Sequence, residues 1–351
     1  MCSTSTGNKN TQDKIDDGIY PFYVRSQTVE RINSWTFDGE AILTAGDGVG
    51  VGKVFHHTYG KIGVHQRVYI LSNFKCDANY LFHFFSSHFY NRVKRMSAKN
   101  SVDSVRKEMI TEMPLYLPSK QEQAKIGVLL SLLDERIATQ SKVIEDLKKL
   151  KSAIINYAIN SLDTDFAKFS SLYEMAGEGG TPTTSNASFY DNGKIPFIKI
   201  DDLKQKYLTE NKDFITELGL QKSSAWLVPT HSILFSNGAT IGEISITTYP
   251  VCTKQGILGI VPKQNIDVEF LYYFMSSSYF KKAVSRIVTE GTMKTAYLKD
   301  INNIRCPIPT KEKQQEIAKM PSALNSKIDF EQSILKLFCS QKQYLLRQMF
   351  I

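Results

Sequence analysis

Residues 118–160 read PSKQEQAKIGVLLSLLDERIATQSKVIEDLKKLKSAIINYAIN, and this stretch decides the fold. From Ile126 onward the apolar residues recur in alternating steps of four and three, the spacing of a coiled-coil seam. The predicted seam residues are Ile126, Leu130, Leu133, Ile137, Ile144, Leu147 and Ile154. Ser119 and Glu122 form a capping-box pattern just before the seam. A helix over 120–160 would be about 60 Å long at 1.5 Å per residue, more than one small domain needs.

The same pattern returns 191 residues later, in residues 309–351. The predicted seam of this second helix contains Leu324, Ile328, Leu335, Phe338 and Leu345. Lys313 stands where the first copy has Glu122, so its capping box is incomplete. Pro321 should kink this helix or delay its start. Two such helices are expected to lie antiparallel against each other.

Both seams carry polar residues at the same two positions. Gln140 corresponds to Glu331, and Lys151 corresponds to Lys342. Polar seam residues can set the register of two helices. Their long side chains can also reach past the edge of the seam into solvent, and the sequence leaves both alternatives open.

The sequence preceding each long helix repeats as well. Residues 18–22 resemble residues 193–197, and Trp35 and Gln66 match Trp226 and Gln255 further along. Short strands are predicted at 20–24, 41–44, 66–71, 195–200, 232–235 and 256–261, and short helices at 78–95 and 268–287. We therefore predict an α+β protein with a pseudo-twofold internal repeat, in which long antiparallel coiled-coil helices separate two mixed α/β domains. The predicted boundaries are 1–117 and 161–308 for the domains and 118–160 and 309–351 for the helices.

Composition agrees with an ordinary folded protein. The chain has 351 residues, 42% hydrophobic residues and a net charge of +8, which suits about two domains with cores of their own. Its apolar runs are too short to cross a bilayer. The 5 cysteines are scattered and odd in number, which favours reduced thiols in a cytoplasm. Residues 161–310 carry equal numbers of basic and acidic side chains, so charge alone does not indicate a nucleic-acid partner.

No convincing catalytic motif is present in the sequence. Residues 46–53, GDGVGVGK, resemble a phosphate-binding loop, but Asp47 and Val54 replace residues that such a loop requires. A glycine-rich turn that lets backbone approach a partner closely is the better interpretation. The histidines near this turn fit no common zinc spacing. A nucleotide-using enzyme therefore remains only as a hypothesis that depends on Lys53.

Ordered motifs in both copies resemble one known family. Gly180-Thr181-Pro182, residues 195–198 and residues 307–309 follow one another as in a target-recognition domain. Residues 117–118 and 133–135 end the first copy in a similar way. Together they resemble the specificity subunit of type I restriction–modification enzymes, over nearly the whole chain.

The resemblance implies two DNA target-recognition domains, each reading half of a split, asymmetric site in double-stranded DNA. It implies a non-catalytic, cytoplasmic subunit whose helices dock methylation subunits, two of them in this interpretation. S-adenosylmethionine is then expected on those partners, with ATP and magnesium on a restriction subunit where one is present, and no cofactor or metal on this chain. A coiled-coil scaffold that binds only protein, and an inactive or shortened specificity-subunit allele, are the alternatives.

The first copy departs from the family pattern at its start. With Gly18 matched to Gly193, Met1 corresponds to Ala176, and no counterpart of residues 165–175 precedes it. The Gly-Thr-Pro motif has no counterpart there either. The first domain is therefore expected to lack its opening strand.

DNA affinity should come from Lys and Arg on phosphates, and specificity from Arg, Lys, Asn and Gln at base edges. The predicted DNA-contacting residues of the first domain are Arg25, Lys53, Lys61, Arg67, Lys99, Asn100 and Arg106. Those of the second domain are Lys199, Lys204, Asn237, Lys254, Gln255, Thr292, Lys294 and Thr295. The two sets differ in side-chain type, as two half-sites of unlike sequence would require.

Overall fold

The computed structural model describes residues 1–97, 104–288 and 294–350. It divides the chain into two compact units. Unit 1 comprises Met1–Lys142 and Ser333–Ile351, and unit 2 comprises Val143–Gln332. Each unit therefore contains one globular domain and a part of both long helices. This agrees with the predicted fold class of two mixed α/β domains with long helices.

Unit 1 is built on a six-stranded sheet with the strand order β1-β6-β4-β5-β2-β3. The strands are β1 (Ser3–Thr6), β2 (Tyr20–Tyr23), β3 (Val29–Ile32), β4 (Phe37–Ala45), β5 (Phe55–Val64) and β6 (Val68–Ser72). The helices are α1 (Ala78–Met96), α2 (Lys107–Thr111) and the start of α3 (Lys120–Asn160). The aromatic residues Tyr80, Phe84 and Phe85 of α1 are buried and contribute to the core.

Unit 2 divides the same kind of sheet into smaller pieces, with strand orders β10-β13-β12-β15-β8, β11-β9-β14 and β16-β7. The strands are β7 (Phe166–Lys168), β8 (Tyr173–Glu178), β9 (Ile195–Ile198), β10 (Tyr207–Leu208), β11 (Asp213–Ile215), β12 (Ile233–Ser236), β13 (Ile244–Thr247), β14 (Cys252–Thr253), β15 (Ile257–Pro262) and β16 (Arg305–Pro307). The helices are α4 (Glu217–Gln221), α5 (Val268–Ser276), α6 (Ser278–Ile287), α7 (Leu298–Ile301) and α8 (Lys311–Met349). Ser277 separates α5 from α6, where the sequence pattern predicts one helix, because its hydroxyl caps the second helix by accepting from Phe280 N at 3.3 Å.

The repeat extends to individual hydrogen bonds. Val105 N donates to Gly46 O at 2.7 Å in unit 1, and Ala296 N donates to Asn237 O at 2.9 Å in unit 2. All four residues correspond at the 191-residue offset. The internal symmetry read from the sequence therefore describes two copies of one backbone arrangement.

The expectation that the first domain lacks its opening strand is confirmed for β7, which opens unit 2 and pairs with β16, since no strand in the part of unit 1 that the structure describes corresponds to it. The next strand of unit 2, β8, does have a counterpart. β1 pairs antiparallel with β6, as β8 pairs with β15. Gly7 N donates to Val68 O at 3.2 Å, and Gly179 N donates to Ile257 O at 2.8 Å, so Gly7 is the counterpart of Gly179. The sequence match from Gly18 misplaced this strand because the connection between the strand and Gly18 differs in length from that preceding Gly193.

The seam residues are covered in both long helices. Leu130, Leu133, Ile144 and Ile328 are buried, whereas Ile126, Ile137, Leu147, Ile154, Leu324, Leu335, Phe338 and Leu345 are half-buried. In unit 1, Ile126 packs in one cluster with Leu345 and Met349, and Asp134 meets Lys342 further along. The two helices are therefore antiparallel within this unit.

The polar seam residues Lys151 and Lys342 have partners on the opposite helix of their own unit. Lys342 Nζ donates to Asp134 Oδ1 in unit 1. Lys151 Nζ donates to Asn325 Oδ1 at 2.8 Å in unit 2. The four residues form one symmetric pair of contacts, since both corresponding pairs are 191 residues apart. The structure therefore favours the register-setting alternative for these lysines.

The predictions for the starts of the two long helices are confirmed only in part. Ser119 N donates to Glu122 Oε2 at 2.9 Å, and Glu122 N donates to Ser119 Oγ at 3.3 Å, so the predicted capping box is present. In the second helix only one hydrogen bond of the box is present, in which Lys313 N donates to Thr310 Oγ1 at 3.4 Å. The predicted delay at Pro321 is wrong, because α8 begins at Lys311 and continues through this buried proline. Tertiary packing outweighs the missing backbone bond here.

A buried glutamine connects each long helix to its domain. Gln123 Oε1 accepts from Asp77 N at 3.1 Å, and Gln314 Oε1 accepts from Asp267 N at 2.7 Å. The aspartates are the N-caps of α1 and α5. Their backbone N–H groups would otherwise be buried without partners, so these glutamines hold the domain helix against the long helix.

Candidate nucleic-acid interface

The glycine-rich turn of unit 1 links β4 to β5. Gly48 and Gly52 have φ of +74° and +64°, which favour glycine. A Cβ on Gly46 would lie 2.8 Å from Arg67 O, and one on Gly50 would lie 2.4 Å from Arg25 O. The close approach is therefore to this chain's own backbone, where the sequence predicted an approach to a partner. It brings two predicted DNA-contacting residues to the turn.

Asp47 organises these two arginines. Its Oδ1 lies 2.8 Å from Arg25 Nη1, and its Oδ2 lies 3.6 Å from Arg67 Nε. The arginine side chains remain 45% and 64% exposed. A guanidinium has five N–H donors, so each arginine keeps donors free for a second acceptor. The result is an oriented pair of cations with one compensating carboxylate.

Two more predicted residues lie at the same turn, and both are exposed. Lys53 is part of the turn and places Nζ 5.4 Å from the centre of the Tyr90 ring. Arg106 follows Val105, whose N–H bonds Gly46 O, and its guanidinium donates to Met96 O at 3.1 Å. The turn therefore gathers Arg25, Lys53, Arg67 and Arg106 in one place.

Lys61 lies on β5, the strand that follows the turn. It pairs with Asp38 of β4. Its Nζ lies 5.2 Å from the centre of the Trp35 ring. A contact of Lys61 with DNA stays a prediction.

His65 is a buried member of the cluster that sequence reasoning assigned no role. Burial and the positive charge of Arg25 lower the pKa of His65. Its Nδ1 lies 3.0 Å from Arg67 N and accepts that N–H. His65 therefore helps to fix the backbone that carries Arg67. The sequence offered one signal for this role, since His65 directly precedes Gln66, which is repeated as Gln255.

The corresponding turn of unit 2 links β12 to β13, with Gly242 at a φ of +107°. Asn237 N and Gly238 N both donate to Gly256 O, which places the exposed Lys254 and Gln255 beside the turn. Gln255 N donates to Thr181 Oγ1 at 3.3 Å, so the Gly-Thr-Pro motif supports this corner. Sequence reasoning missed that role for Thr181.

Three further predicted residues complete the unit 2 cluster or lie near it. Ala296 N bonds Asn237 O, which places the exposed Lys294 and half-buried Thr295 next to the turn. Lys254 N donates to Ile198 O at 2.9 Å, so the backbone of Lys199, the next residue, also lies close to Lys254. Lys199 Nζ is paired with Asp213 at 2.8 Å.

Asn237 is not supported as a base-contacting residue. Its side chain is 1% exposed, and its Nδ2 donates to Ala296 O at 3.2 Å. A buried amide in this position holds two segments of the turn together and cannot reach a base edge. The internal repeat could have predicted this role, because Asn237 corresponds to Gly46, which has no side chain that could contact a base.

Lys204 is exposed in the connection between β9 and β10, away from the turn hydrogen bonds. The predicted residues Lys99, Asn100 and Thr292 lie outside the described residues. Among the residues that the structure describes, no group of three or more His, Cys, Asp or Glu side chains is arranged to hold a metal ion. No helix within 1–97, 104–288 and 294–350 is long and apolar enough to cross a membrane.

Each unit also has an open apolar groove where one long helix begins and the other ends. In unit 1 the groove measures about 490 Å³ and is lined by Tyr116, Ile126 and Met349 among others. In unit 2 it measures about 540 Å³ and is lined by Tyr157, Ile317 and Met320 among others. Tyr116 is 74% exposed and Tyr157 is 77% exposed. Tyr116 lies just before α3 and Tyr157 lies on it, and exposed apolar patches of this kind are typical of protein interaction surfaces.

Comparison with known proteins identifies a family. The model of the type I restriction modification DNA specificity domain matches residues 2–149 and again residues 164–337. The EcoDI specificity subunit of Escherichia coli is 22% identical over 361 residues, which cover 91% of this chain and 78% of that protein. The MjaIX specificity subunit of Methanocaldococcus jannaschii is 32% identical over 173 residues, which cover 48% of this chain and only 39% of that protein.

A solved structure shows the same fold. The S subunit of a type I restriction–modification system from M. genitalium superposes with a TM-score of 0.68 at 16% identity. The match covers 100% of this chain and 94% of that chain. At such low identity the similarity concerns the fold alone.

Proposed function

The chain belongs to the type I restriction–modification DNA specificity family, and on that premise we propose that its two domains each read one half of a split, asymmetric DNA target. One observation carries the proposal. The same hydrogen-bonded turn occurs in both units, as a bridge between Asp47 and Ser104 and a bridge between Gly238 and Thr295, 191 residues apart. The backbone is shared, whereas the exposed polar side chains around it differ.

The chemistry of these side chains suits a nucleic acid. In unit 1 the exposed donors are guanidinium groups, which can bind phosphates or the O6 and N7 acceptors of guanine. In unit 2 Lys254 stands at the equivalent corner, where unit 1 has His65, whereas Gln255 and its counterpart Gln66 are the same residue in both units. An asymmetric target requires two domains that share one backbone arrangement but present different base-contacting side chains.

The long helices are the proposed docking surface for methylation subunits. The apolar grooves of the two units are symmetric counterparts, since Ile126 and Ile317 lie 191 residues apart. Two equivalent grooves suit two copies of one partner. In this proposal the methylation subunits carry S-adenosylmethionine, and a restriction subunit, when present, carries ATP and magnesium. This chain supplies target recognition and no catalytic group.

Methylome sequencing tests the proposal directly. The chain is co-expressed with a methylation subunit in a host that lacks both, and adenine methylation is expected at a new bipartite motif. The Arg25→Ala/Arg67→Ala variant should relax or change one half of that motif and leave the other half intact. A methylome without any new split motif contradicts the proposal.

A further inference from the structure

Lys206 is a buried cation held by groups from three parts of unit 2. Its side chain is 2% exposed, and its Nζ lies 2.8 Å from Glu269 Oε2 and 3.0 Å from Ser322 Oγ. The same Nζ lies 4.7 Å and 4.8 Å from the ring centres of Tyr207 and Tyr273. Lysine is rarely buried unless it is paired, so these groups together determine where its chain segment lies.

The three parts come from different structural elements of the unit. Lys206 ends the connection from β9 to β10, Glu269 and Tyr273 lie on α5, and Ser322 lies on the long helix α8. Ser322 Oγ also donates to Glu269 Oε2, and Tyr207 OH donates to Glu269 Oε1. The ammonium group therefore links the connection to both the domain helix and the long helix.

The other end of this connection lies at the candidate interface. Residues 199–206 begin next to Lys254, through the bond from its N–H to Ile198 O, and they include Lys199 and Lys204. At the far end, Ile246 N donates to Lys206 O at 2.7 Å. A shift at Lys206 would therefore be transmitted to residues predicted to contact DNA.

Unit 1 does not share this arrangement. Its β2 and β3 are joined by the short segment 24–28, whereas β9 and β11 of unit 2 are joined through 199–212. The counterparts of Tyr273 and Ser322 are His83 and Ser131, whose Nε2 and Oγ lie 3.3 Å apart. In the part of unit 1 that the structure describes, no lysine occupies the place of Lys206.

We propose that Lys206 is a positioning residue for target reading by the second domain alone. It holds the 199–206 connection against α5 and α8 so that the side chains of that connection and of the adjoining turn face their half-site in one geometry. Base reading requires side chains placed within a fraction of an ångström, whereas phosphate contacts tolerate more movement. This inference rests on the proposed DNA-reading function.

The test measures discrimination at each half-site separately. Lys206→Met keeps the apolar stem and removes the cation. Lys206→Met/Glu269→Gln also removes the negative charge that would otherwise lose its paired cation. Lys282→Met, at an exposed lysine of the same unit, removes the same charge elsewhere. After the wild-type motif is read by methylome sequencing, methylation rates of duplexes with one mismatch in either half are compared.

Both Lys206 variants should lose about tenfold discrimination against mismatches in the half read by unit 2, since one well-placed contact contributes that much. Discrimination in the other half, and both halves with Lys282→Met, should stay unchanged. The double variant should regain much of the thermal stability that Lys206→Met loses, without regaining discrimination.

Unchanged discrimination in both Lys206 variants overturns the inference, as does an equal loss in both halves, which would indicate only general destabilisation. Neither result affects the proposed function, because the wild-type motif is established first. A wild-type chain that directs no split methylation overturns the proposed function together with the inference.

Discussion

His83 and Tyr273 occupy equivalent positions in the two units, and only the imidazole has an ordinary pKa near neutral pH. His83 is 1% exposed. Its Nε2 lies 3.3 Å from Ser131 Oγ, and its Nδ1 lies 3.7 Å from Asp134 Oδ2. Burial lowers the pKa of His83 to about 4, although Asp134 opposes the shift; Lys342 and His57 lower it further, and Asp77 raises it slightly.

This histidine predicts a loss of unit 1 stability in acid. The unfolded chain takes up the proton near pH 6.5 and the folded unit only near pH 4, so the unfolded state binds more protons between these values. The stability from a neutral His83 is therefore fully present above pH 6.5 and is lost as the pH falls toward 4, by roughly 3 kcal/mol in all. Hydrogen exchange of the α1 amides as a function of pH measures it.

His83→Gln should flatten the dependence on pH over that range. The matched control is His231→Asn, an exposed histidine of unit 2 with a φ of +58°, which asparagine tolerates. A variant at His83 whose α1 amides keep the wild-type pH profile would assign the effect to other groups.

At the scale of elements, α3 approaches α1 closely at Gly127. A Cβ there would lie 2.6 Å from Asp77 Oδ1 and 2.9 Å from Tyr80 N. The equivalent residue of α8 is Ala318, which is 3% exposed, so unit 2 accommodates a methyl group where unit 1 does not. The N-cap of α1 therefore sits directly on the glycine of the long helix.

Gly127→Ala should destabilise the protein although alanine favours helices. Propensity alone predicts a gain of about 1 kcal/mol in the free energy of unfolding. The contact with backbone and with the Asp77 cap should cost more, for a net loss of about 1–2 kcal/mol. Urea unfolding measures the balance, and Ser152→Ala at an exposed position of α3 should show the small gain expected from propensity. A net gain with Gly127→Ala would contradict the packing described at α1.

For the whole molecule, DNA affinity should depend steeply on salt because phosphate contacts release counterions. Each of Arg25→Ala and Arg67→Ala should reduce the slope of log K against log salt by about one. Lys149→Ala should leave the slope unchanged, since this exposed lysine of α3 pairs with Glu145 and is not among the predicted DNA contacts. Fluorescence anisotropy with a duplex containing the target, between about 50 and 200 mM salt, gives the slopes.

The same titration separates the DNA-reading interpretation from the scaffold interpretation. A chain that only binds protein through its helices would show no salt-dependent affinity for duplex DNA. A nucleotide-using enzyme would instead require ATP or GTP binding that Lys53→Ala abolishes. Lys53 lies over Tyr90 at the turn, which suits a surface cation.

Sequence reasoning was most accurate where structure depends on neighbours in the chain. The predicted helix at 120–160 and its capping box are both present, because periodicity and capping are local properties. The two-copy architecture was also readable, since it is a comparison of the sequence with itself. Six of the sixteen strands that the structure describes were located to within a few residues, namely β2, β4, β6, β9, β12 and β15. The other ten were not predicted; among them, β1 pairs with β6, whose residues lie nearly seventy positions away.

Individual site residues were less accessible to the sequence. Arg25 and Arg67 are far apart in the sequence, and only the fold brings both of them to Asp47. Asn237 has a base-reading side chain, but burial gives it a structural role. Lys206 carried no signal, because its partners lie 63 and 116 positions further along the chain.

The sequence by itself determined the repeat, the long helices and the family. Only the tertiary structure decided which cations gather at the turns, which polar seam residues pair, and which lysine is buried. The physical reason is that periodicity and capping act over a few residues, whereas burial and ion pairing depend on which distant segments the fold brings together.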